Sequence, residues 1–133
     1  MAEEKKRYKI AIVDDNREIV QVLNDIFTIR NFEVVAAYGG REGIEVIKKH
    51  HPHLVILDIT MPDMDGRDVL NTIKRDEALK HIPVMILTGR DIDFDRECTL
   101  GLGAYEFIQK PFDTALLIRQ ATSIIEKSEQ GRA

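Results

Sequence analysis

Five side chains of chemically useful types stand directly after short apolar stretches of the sequence. They are Asp14, Asp15, Asp58, Thr88 and Lys110. If those stretches are parallel strands of one sheet, their carboxyl ends meet at one edge and the five side chains share a crevice. Carboxylates held that close together repel one another unless a cation neutralises them. The spacing therefore predicts a charged site at the edge of a sheet.

The predicted cluster suits a hard cation and a phosphoryl group. Mg²⁺ fits best because it needs only a few carboxylates and keeps several waters, with Mn²⁺ as the alternative. A lysine is a common partner of phosphate oxygens, and the Thr88 hydroxyl can donate a hydrogen bond to the same group. Asp58 can then be a nucleophile that forms an aspartyl phosphate. In the run LDITMPDMDG, Pro62 and Gly66 would shape a loop that stays clear of the metal.

Two kinds of segment alternate along the chain and predict the scaffold of this site. The short apolar ones are residues 9–13, 32–37, 53–57, 83–87 and 105–109. Most lack polar alternation, which is typical of strands covered on both faces. Longer segments with helical spacing follow each of them. This (βα)5 order predicts an α/β, doubly wound fold with a five-stranded parallel sheet and helices on both faces. The second strand ends in Tyr38-Gly39-Gly40, which indicates only a turn.

The apolar positions of the longer segments predict the buried helix faces. They are Ile19, Val22, Leu23, Ile26 and Phe27; Ile44 and Ile47; Val69, Leu70 and Ile73; Phe94, Cys98 and Leu102; and Leu117, Ala121, Ile124 and Ile125. The last helix carries more apolar residues than one inward stripe needs. Leu116 or Ile118 should therefore be partly exposed and could belong to a contact patch.

Length and composition restrict the class of protein. The 133 residues favour one domain over residues 1–133, with a core at about 8–127 and no output domain after the fifth helix. The chain is 44% hydrophobic and 32% charged, and its apolar stretches are shorter than the about 20 residues that span a bilayer. A net charge of −4 argues against direct nucleic-acid binding. A single cysteine, Cys98, fits a reducing cytoplasm.

Taken together, these motifs resemble the receiver domain of a two-component response regulator, in the superfamily of the chemotaxis regulator. The matching elements are Asp14-Asp15 after IAIV, the run LDITMPDMDG, Thr88-Gly89 after VMIL, and Lys110-Pro111-Phe112. The resemblance spans roughly residues 8–127. It implies a flavodoxin-like receiver fold and a phosphoryl-accepting switch that is not an enzyme in the usual sense.

The resemblance implies a role for each residue of the site. Asp58 would be the phosphoacceptor, and Asp14, Asp15, Asp58 and the Thr60 carbonyl would hold Mg²⁺, Asp14 through water. Thr88 and Lys110 would contact the phosphoryl group, and Phe107 would report the switch with Thr88. Thr60 and Arg90 would flank the phosphoryl group and tune its lifetime. The Lys110–Pro111 peptide bond would be cis.

The resemblance also implies partners. The phosphoryl donor would be a sensor histidine kinase or a histidine phosphotransfer protein. The output would be a downstream protein or a second copy of the chain, bound through the fourth helix, fifth strand and fifth helix.

Two other classes of function compete with this interpretation. A small Mg²⁺-dependent phosphatase also forms an aspartyl phosphate, but such enzymes usually carry a second aspartate where this chain has Thr60. A docking module that is never phosphorylated would not need the complete set of site residues.

Simpler explanations exist for individual residues. Asp58, Asp14 or Asp15 could cap a helix, Thr88 could lie in a turn, and Lys110 could be a solvated surface residue. In an EF-hand numbered from Gly66, positions one and twelve would be Met61 and Thr72, which excludes a calcium loop of that type. The histidines His50, His51 and His53 straddle a helix end, which favours surface positions over a metal site.

Overall fold

The computed structural model describes residues 7–89 and 93–131, and the side chains of these residues except 93–96 and 131. Strands and helices alternate throughout. The strands are β1 (Lys9–Val13), β2 (Glu33–Ala37), β3 (Leu54–Leu57), β4 (Val84–Thr88) and β5 (Glu106–Gln109). The helices are α1 (Arg17–Ile29), α2 (Gly40–His50), α3 (Gly66–Arg75), α4 (Asp93–Gly101) and α5 (Thr114–Gly131).

All five strands are parallel and lie in one sheet in the order β2-β1-β3-β4-β5. Strand order reverses direction at β1, where the chain passes first to β2 on one side and later to β3 on the other. In such sheets ligands bind beyond the carboxyl ends of the strands at this point. The predicted α/β class and the predicted alternation of five strands with five helices are confirmed.

The core is divided between the two faces of the sheet. Alternate β1 residues point to opposite faces, so that Ala11 and Val13 pack on one side and Ile10 and Ile12 on the other. Helices α2 and α3 cover the first face, and α1 and α5 cover the second. Both faces are buried, which is why these strands read as continuous apolar runs.

The prediction for the buried face of α1 was partly wrong. Val22 is 49% exposed, whereas Val20, absent from the predicted stripe, is 3% exposed. Burial is centred on Val20, Leu23 and Phe27, whose spacings of three and four residues place them on one helix face. Val22 lies beside the β5–α5 connection instead.

The fourth helix and fifth strand also depart from prediction. Cys98 is only partly buried, and its neighbour Thr99 is the fully buried residue of this turn. Phe94 lies outside the described side chains. Tyr105 was predicted to begin a covered strand, yet it is 50% exposed and precedes β5. The reason is that β5 is an edge strand with a neighbour on one side only.

The last helix is amphipathic as predicted. Its inward residues Leu117, Ala121, Ile124 and Ile125 are buried, and Leu116 is 42% exposed. Charged side chains interrupt its apolar residues. Within residues 7–89 and 93–131, none of the helices combines the length and the apolar character needed to traverse a bilayer.

One histidine is not the surface residue that was predicted. The backbone N–H of Lys9 donates to His53 Nδ1 at 2.9 Å, and the His53 ring meets Tyr8 edge-on at 5.1 Å. His53 therefore fastens the start of β3 to the start of β1. The side chain of His51 is exposed.

Candidate functional site

Asp14 and Asp58 lie side by side because of the strand register. Val13 of β1 pairs with Leu57 of β3, so the next residue of each strand enters the same crevice. The backbone continues this pairing, since the Asp58 N–H donates to the Val13 carbonyl at 2.9 Å. Asp14 and Asp58 are 3% and 6% exposed, while Asp15 is exposed. Carboxylate oxygens from the three residues lie within 4.8 Å of one another.

Lys110 brings a positive charge to this cluster. Its Nζ contacts Asp14 Oδ2 at 2.7 Å, and the two side chains are 16% and 4% exposed. The backbone N–H of Lys110 donates to the Thr88 carbonyl at 2.7 Å, which extends the pairing of β5 with β4. Lys110 is therefore not a solvated surface lysine. Partial burial strengthens its attraction to the nearby carboxylates relative to water.

The surroundings of Asp58 disfavour its charged form. Burial is the largest cause of its raised pKa, and the negative charge of Asp14 is the next. Lys110, a side-chain hydrogen bond with Thr88 and the backbone N–H of Thr60 act in the opposite direction without cancelling the shift. The Thr60 N–H lies 3.4 Å from Asp58 Oδ1. A cation beside this carboxylate would relieve the remaining cost.

The loop after Asp58 turns back on itself at Gly66. The Gly66 N–H donates to the Ile59 carbonyl at 2.8 Å. A Cβ at Gly66 would lie 2.6 Å from the Ile59 Cα and closer still to the Asp58 carbonyl oxygen. Only glycine therefore allows α3 to begin directly against the backbone that carries Asp58.

The remaining predicted residues are distributed around the crevice. Thr88 is fully buried at the end of β4, and Phe107, 5% exposed, pairs with Ile86 on the neighbouring strand. Thr60 is exposed. The Lys110–Pro111 peptide bond is cis, as the resemblance implied. Arg90 lies outside the described residues.

The structure assigns the caps of α1 and α3 to residues other than Asp14, Asp15 and Asp58. Asn16, rather than Asp14 or Asp15, caps α1 by accepting from the N–H groups of Glu18 and Ile19. Asp65 caps α3 by accepting from Arg67 N–H. Asp58 caps no helix among those described, which leaves its carboxylate to the crevice.

Asp63 is the residue that sequence reasoning missed. Its carboxylate accepts hydrogen bonds from the N–H groups of Gly40 and Arg41, the first two residues of α2. The Tyr38-Gly39-Gly40 segment is thus a contact point for residues 59–65, the loop that follows Asp58, as well as a turn. The partners are 22 and 23 residues apart in sequence, so no local pattern signals the contact.

The donor set fits a hard divalent cation. Three carboxylates converge, from Asp14 and Asp15 after β1 and from Asp58 after β3. Oxygen donors of this kind suit Mg²⁺, whereas histidine and cysteine, which softer metals prefer, do not take part in this cluster.

Comparison with protein families decides what this arrangement represents. The model of the response regulator receiver domain matches residues 10–122, which include the three aspartates, Thr88 and Lys110. The chain belongs to this family. It is a receiver domain of the two-component response regulators.

Individual relatives agree with this assignment. The chain is 32% identical over 127 residues to the "Probable transcriptional regulator ycf27" of Pyropia yezoensis and 31% identical over 127 residues to that of Porphyra purpurea. Each match covers 96% of this chain and 51% of the relative. The chain therefore spans about half the length of these curated relatives.

Solved structures show the same fold. A CheY-like receiver domain protein from Methanospirillum hungatei superposes with a TM-score of 0.89 at 25% identity, covering 95% of this chain and 99% of the other. NtrX from Brucella abortus, solved in complex with ATP, has a TM-score of 0.87 at 29% identity. That match covers 96% of this chain and 29% of NtrX.

Proposed function

We propose that this receiver domain is a phosphorylation switch in which Asp58 accepts the phosphoryl group. An Asp58 carboxylate oxygen attacks phosphorus, the bond from phosphorus to the donor's imidazole nitrogen breaks, and the imidazole leaves. The donor is a sensor histidine kinase or a histidine phosphotransfer protein. The proposal rests on the Asp58 carboxylate, which is buried at the strand ends beside Asp14, Thr88 and Lys110. Its surroundings raise its pKa and so disfavour its charged form.

A Mg²⁺ ion would be held by Asp14, Asp15, Asp58 and the Thr60 carbonyl, with Asp14 acting through water. When bound, it supplies positive charge that offsets the repulsion between the carboxylates and the incoming phosphoryl oxygens. Support comes from the convergence of the three carboxylates. Asp15 is the exposed member and gives the cation a route from solvent.

The switch consists of Thr88, Lys110 and Phe107. A phosphoryl group on Asp58 adds close to two negative charges and strong acceptor oxygens to the crevice. Lys110 would divide its pairing between Asp14 and the phosphoryl group, and the Thr88 hydroxyl would donate to it. Movement of Thr88 toward the phosphoryl group would free space behind β4, and Phe107, which is already buried on β5, would repack into that space. The two packings need differ by only a few kcal/mol for phosphorylation to shift their populations.

The output face consists of α4, β5 and α5. Tyr105 and Leu116 expose apolar surface there, and the Gln120 Oε1 atom is buried without a hydrogen-bond partner among the described residues. We infer that phosphorylation strengthens binding of a downstream protein or a second copy of the chain to this face. The domain acts in the cytoplasm without binding nucleic acid directly.

The lifetime of the phosphorylated state would depend on Thr60 and Arg90. Both positions flank the acceptor in the family, where they influence the approach of water to the phosphoryl group. Substitution of Arg90 by alanine should shorten the lifetime of the phosphorylated domain. An unchanged decay rate would remove Arg90 from this role.

Labelling with acetyl phosphate tests the proposed function. With Mg²⁺, the wild-type chain should gain one acid-stable, base-labile phosphoryl group by intact-mass analysis, and Asp58→Asn should gain none. Asp68→Asn, which alters an exposed aspartate of α3, is the matched control and should label like wild type. Equal labelling of Asp58→Asn would contradict the proposal.

The same protein distinguishes the switch from a phosphatase. A phosphatase would turn over p-nitrophenyl phosphate repeatedly, whereas a receiver domain barely does. Sustained turnover that depends on Asp58 would favour the enzyme.

A further inference from the structure

The loop that follows Asp58, residues 59–65, is attached to α2 through the exposed carboxylate of Asp63. Asp63 Oδ1 accepts from Gly40 N–H at 2.9 Å, and Asp63 Oδ2 accepts from Arg41 N–H at 3.2 Å. These N–H groups belong to the first turn of α2 and have no partner within the helix. The two hydrogen bonds are the main reason that the pKa of Asp63 is lowered. The carboxylate is therefore charged at neutral pH and uses both oxygens.

The start of α2 is shaped to receive this loop. Gly39 is the N-cap of α2 and supplies no side-chain cap of its own. A Cβ at Gly39 would lie 3.0 Å from both carboxylate oxygens of Asp63, and one at Gly40 would lie 2.7 Å from Met64 Cβ. Two consecutive glycines thus allow the loop to approach the helix backbone. A helix capped by the residue directly before it would not need this space for a second segment of the chain.

The loop has few other attachments on its outer side. Its ends are held by the backbone at Ile59 and by Gly66, and Met61 is buried beneath it. Thr60 and Pro62 are exposed. Asp63 consequently fastens the solvent side of the segment that contains the Thr60 carbonyl.

We propose that Asp63 is a positioning residue for the metal site, because it ties to α2 the loop whose Thr60 carbonyl is a proposed ligand. Asp63 itself does not touch the cation. This inference rests on the proposed function of the acidic cluster. Groups that orient metal ligands from outside typically change metal affinity by about 10- to 100-fold when they are removed.

A purely structural role would give a different result. A carboxylate that only caps α2 would change the stability of the fold and leave Mg²⁺ affinity unaltered once the protein is folded. The test therefore measures Mg²⁺ affinity by titration calorimetry at a temperature where circular dichroism shows every variant to be folded.

Three variants define the experiment. Asp63→Ala removes both acceptors and should weaken Mg²⁺ binding by about tenfold, the lower end of the range for such groups. Asp63→Asn keeps one acceptor oxygen and should fall between Asp63→Ala and wild type. Asp68→Ala removes an equal charge from the groove that Asp63 lines and should stay within about twofold of wild type.

Amide exchange provides a second measurement that needs no metal. The N–H groups of Gly40 and Arg41 should exchange faster in Asp63→Ala than in wild type. Equal Mg²⁺ affinity of Asp63→Ala and Asp68→Ala, or unchanged exchange at these two amides, would overturn the inference while leaving the proposed function intact. Failure of the wild-type chain to bind Mg²⁺ would instead overturn the proposed metal site.

Discussion

Replacement of Gly66 by alanine should destabilise the domain, because α3 begins in contact with the backbone of Asp58 and Ile59, directly after β3. The added Cβ would lie 2.6 Å from the Ile59 Cα, whereas ordinary contacts begin at 3.4 Å. The backbone must therefore separate by at least about 0.8 Å, the difference between these distances, and by more at the Asp58 carbonyl oxygen, which lies closer still. Neither contacting atom is the end of a flexible side chain, so the strain cannot be relieved by a rotamer change.

The expected cost follows from known overpacking effects. Overpacking of a close-packed region costs about 1–3 kcal/mol, and a backbone clash belongs at the upper end. Alanine recovers about 1 kcal/mol of helix propensity relative to glycine. The net loss in the free energy of unfolding should be about 2 kcal/mol, or a decrease in Tm of about 8 °C for a domain of this size.

Urea unfolding of Gly66→Ala and Gly101→Ala measures this loss. Gly101 also lies in a helix, but a Cβ there meets no atom within 4 Å. Gly101→Ala should remain within about 0.5 kcal/mol of wild type. If both variants unfold at the same urea concentration, α3 does not depend on the close approach at Gly66.

Further predictions concern the charges of the site. Asp58→Asn should stabilise the metal-free domain at neutral pH. The raised pKa of Asp58 means that its charged form destabilises the fold. This destabilisation is complete above the folded-state pKa and absent below the unfolded-state value of about 3.9. The stability gained by Asp58→Asn, measured by urea unfolding, should therefore shrink as pH falls through this window. Mg²⁺ should raise the Tm of the wild-type domain. Asp15→Asn should weaken Mg²⁺ binding, with little effect on metal-free stability because Asp15 is exposed. An unaltered Mg²⁺ affinity by calorimetry would exclude Asp15 as a ligand. Lys110→Met should lower the free energy of unfolding by about 3 kcal/mol, because it leaves the Asp14 carboxylate buried without its ion-pair partner. Adding Asp14→Asn should recover part of that loss, and strictly additive losses would refute the pairing.

Sequence reasoning succeeded where chain order alone determines position. Parallel strands with right-handed crossovers bring the residues at the carboxyl ends of β1, β3, β4 and β5 to one edge whatever the details of packing. Asp14, Asp58, Thr88 and Lys110 could therefore be grouped before their contacts were known. Gly66 was identified as a loop residue, although its close approach to Asp58 depends on three-dimensional packing.

Features that depend on tertiary contacts escaped prediction. The bond between Asp63 and α2 joins segments that no periodic pattern relates. Val22 has the spacing of a buried residue but lies where α1 meets the β5–α5 connection instead of the sheet. The edge position of β5 exposes Tyr105, and the order of strands that creates this edge follows from the complete fold.

Chemical identification of the phosphorylated side chain tests the central claim most directly. The domain is incubated with acetyl phosphate and Mg²⁺, reduced with borohydride, which converts an acyl phosphate on aspartate to homoserine, and digested for peptide mass spectrometry. We predict homoserine at position 58 and at no other aspartate, and no homoserine at all when Mg²⁺ is chelated. Homoserine at position 14 or 15, or none at position 58 in protein shown by intact mass to be phosphorylated, would contradict the assignment of Asp58 as the acceptor.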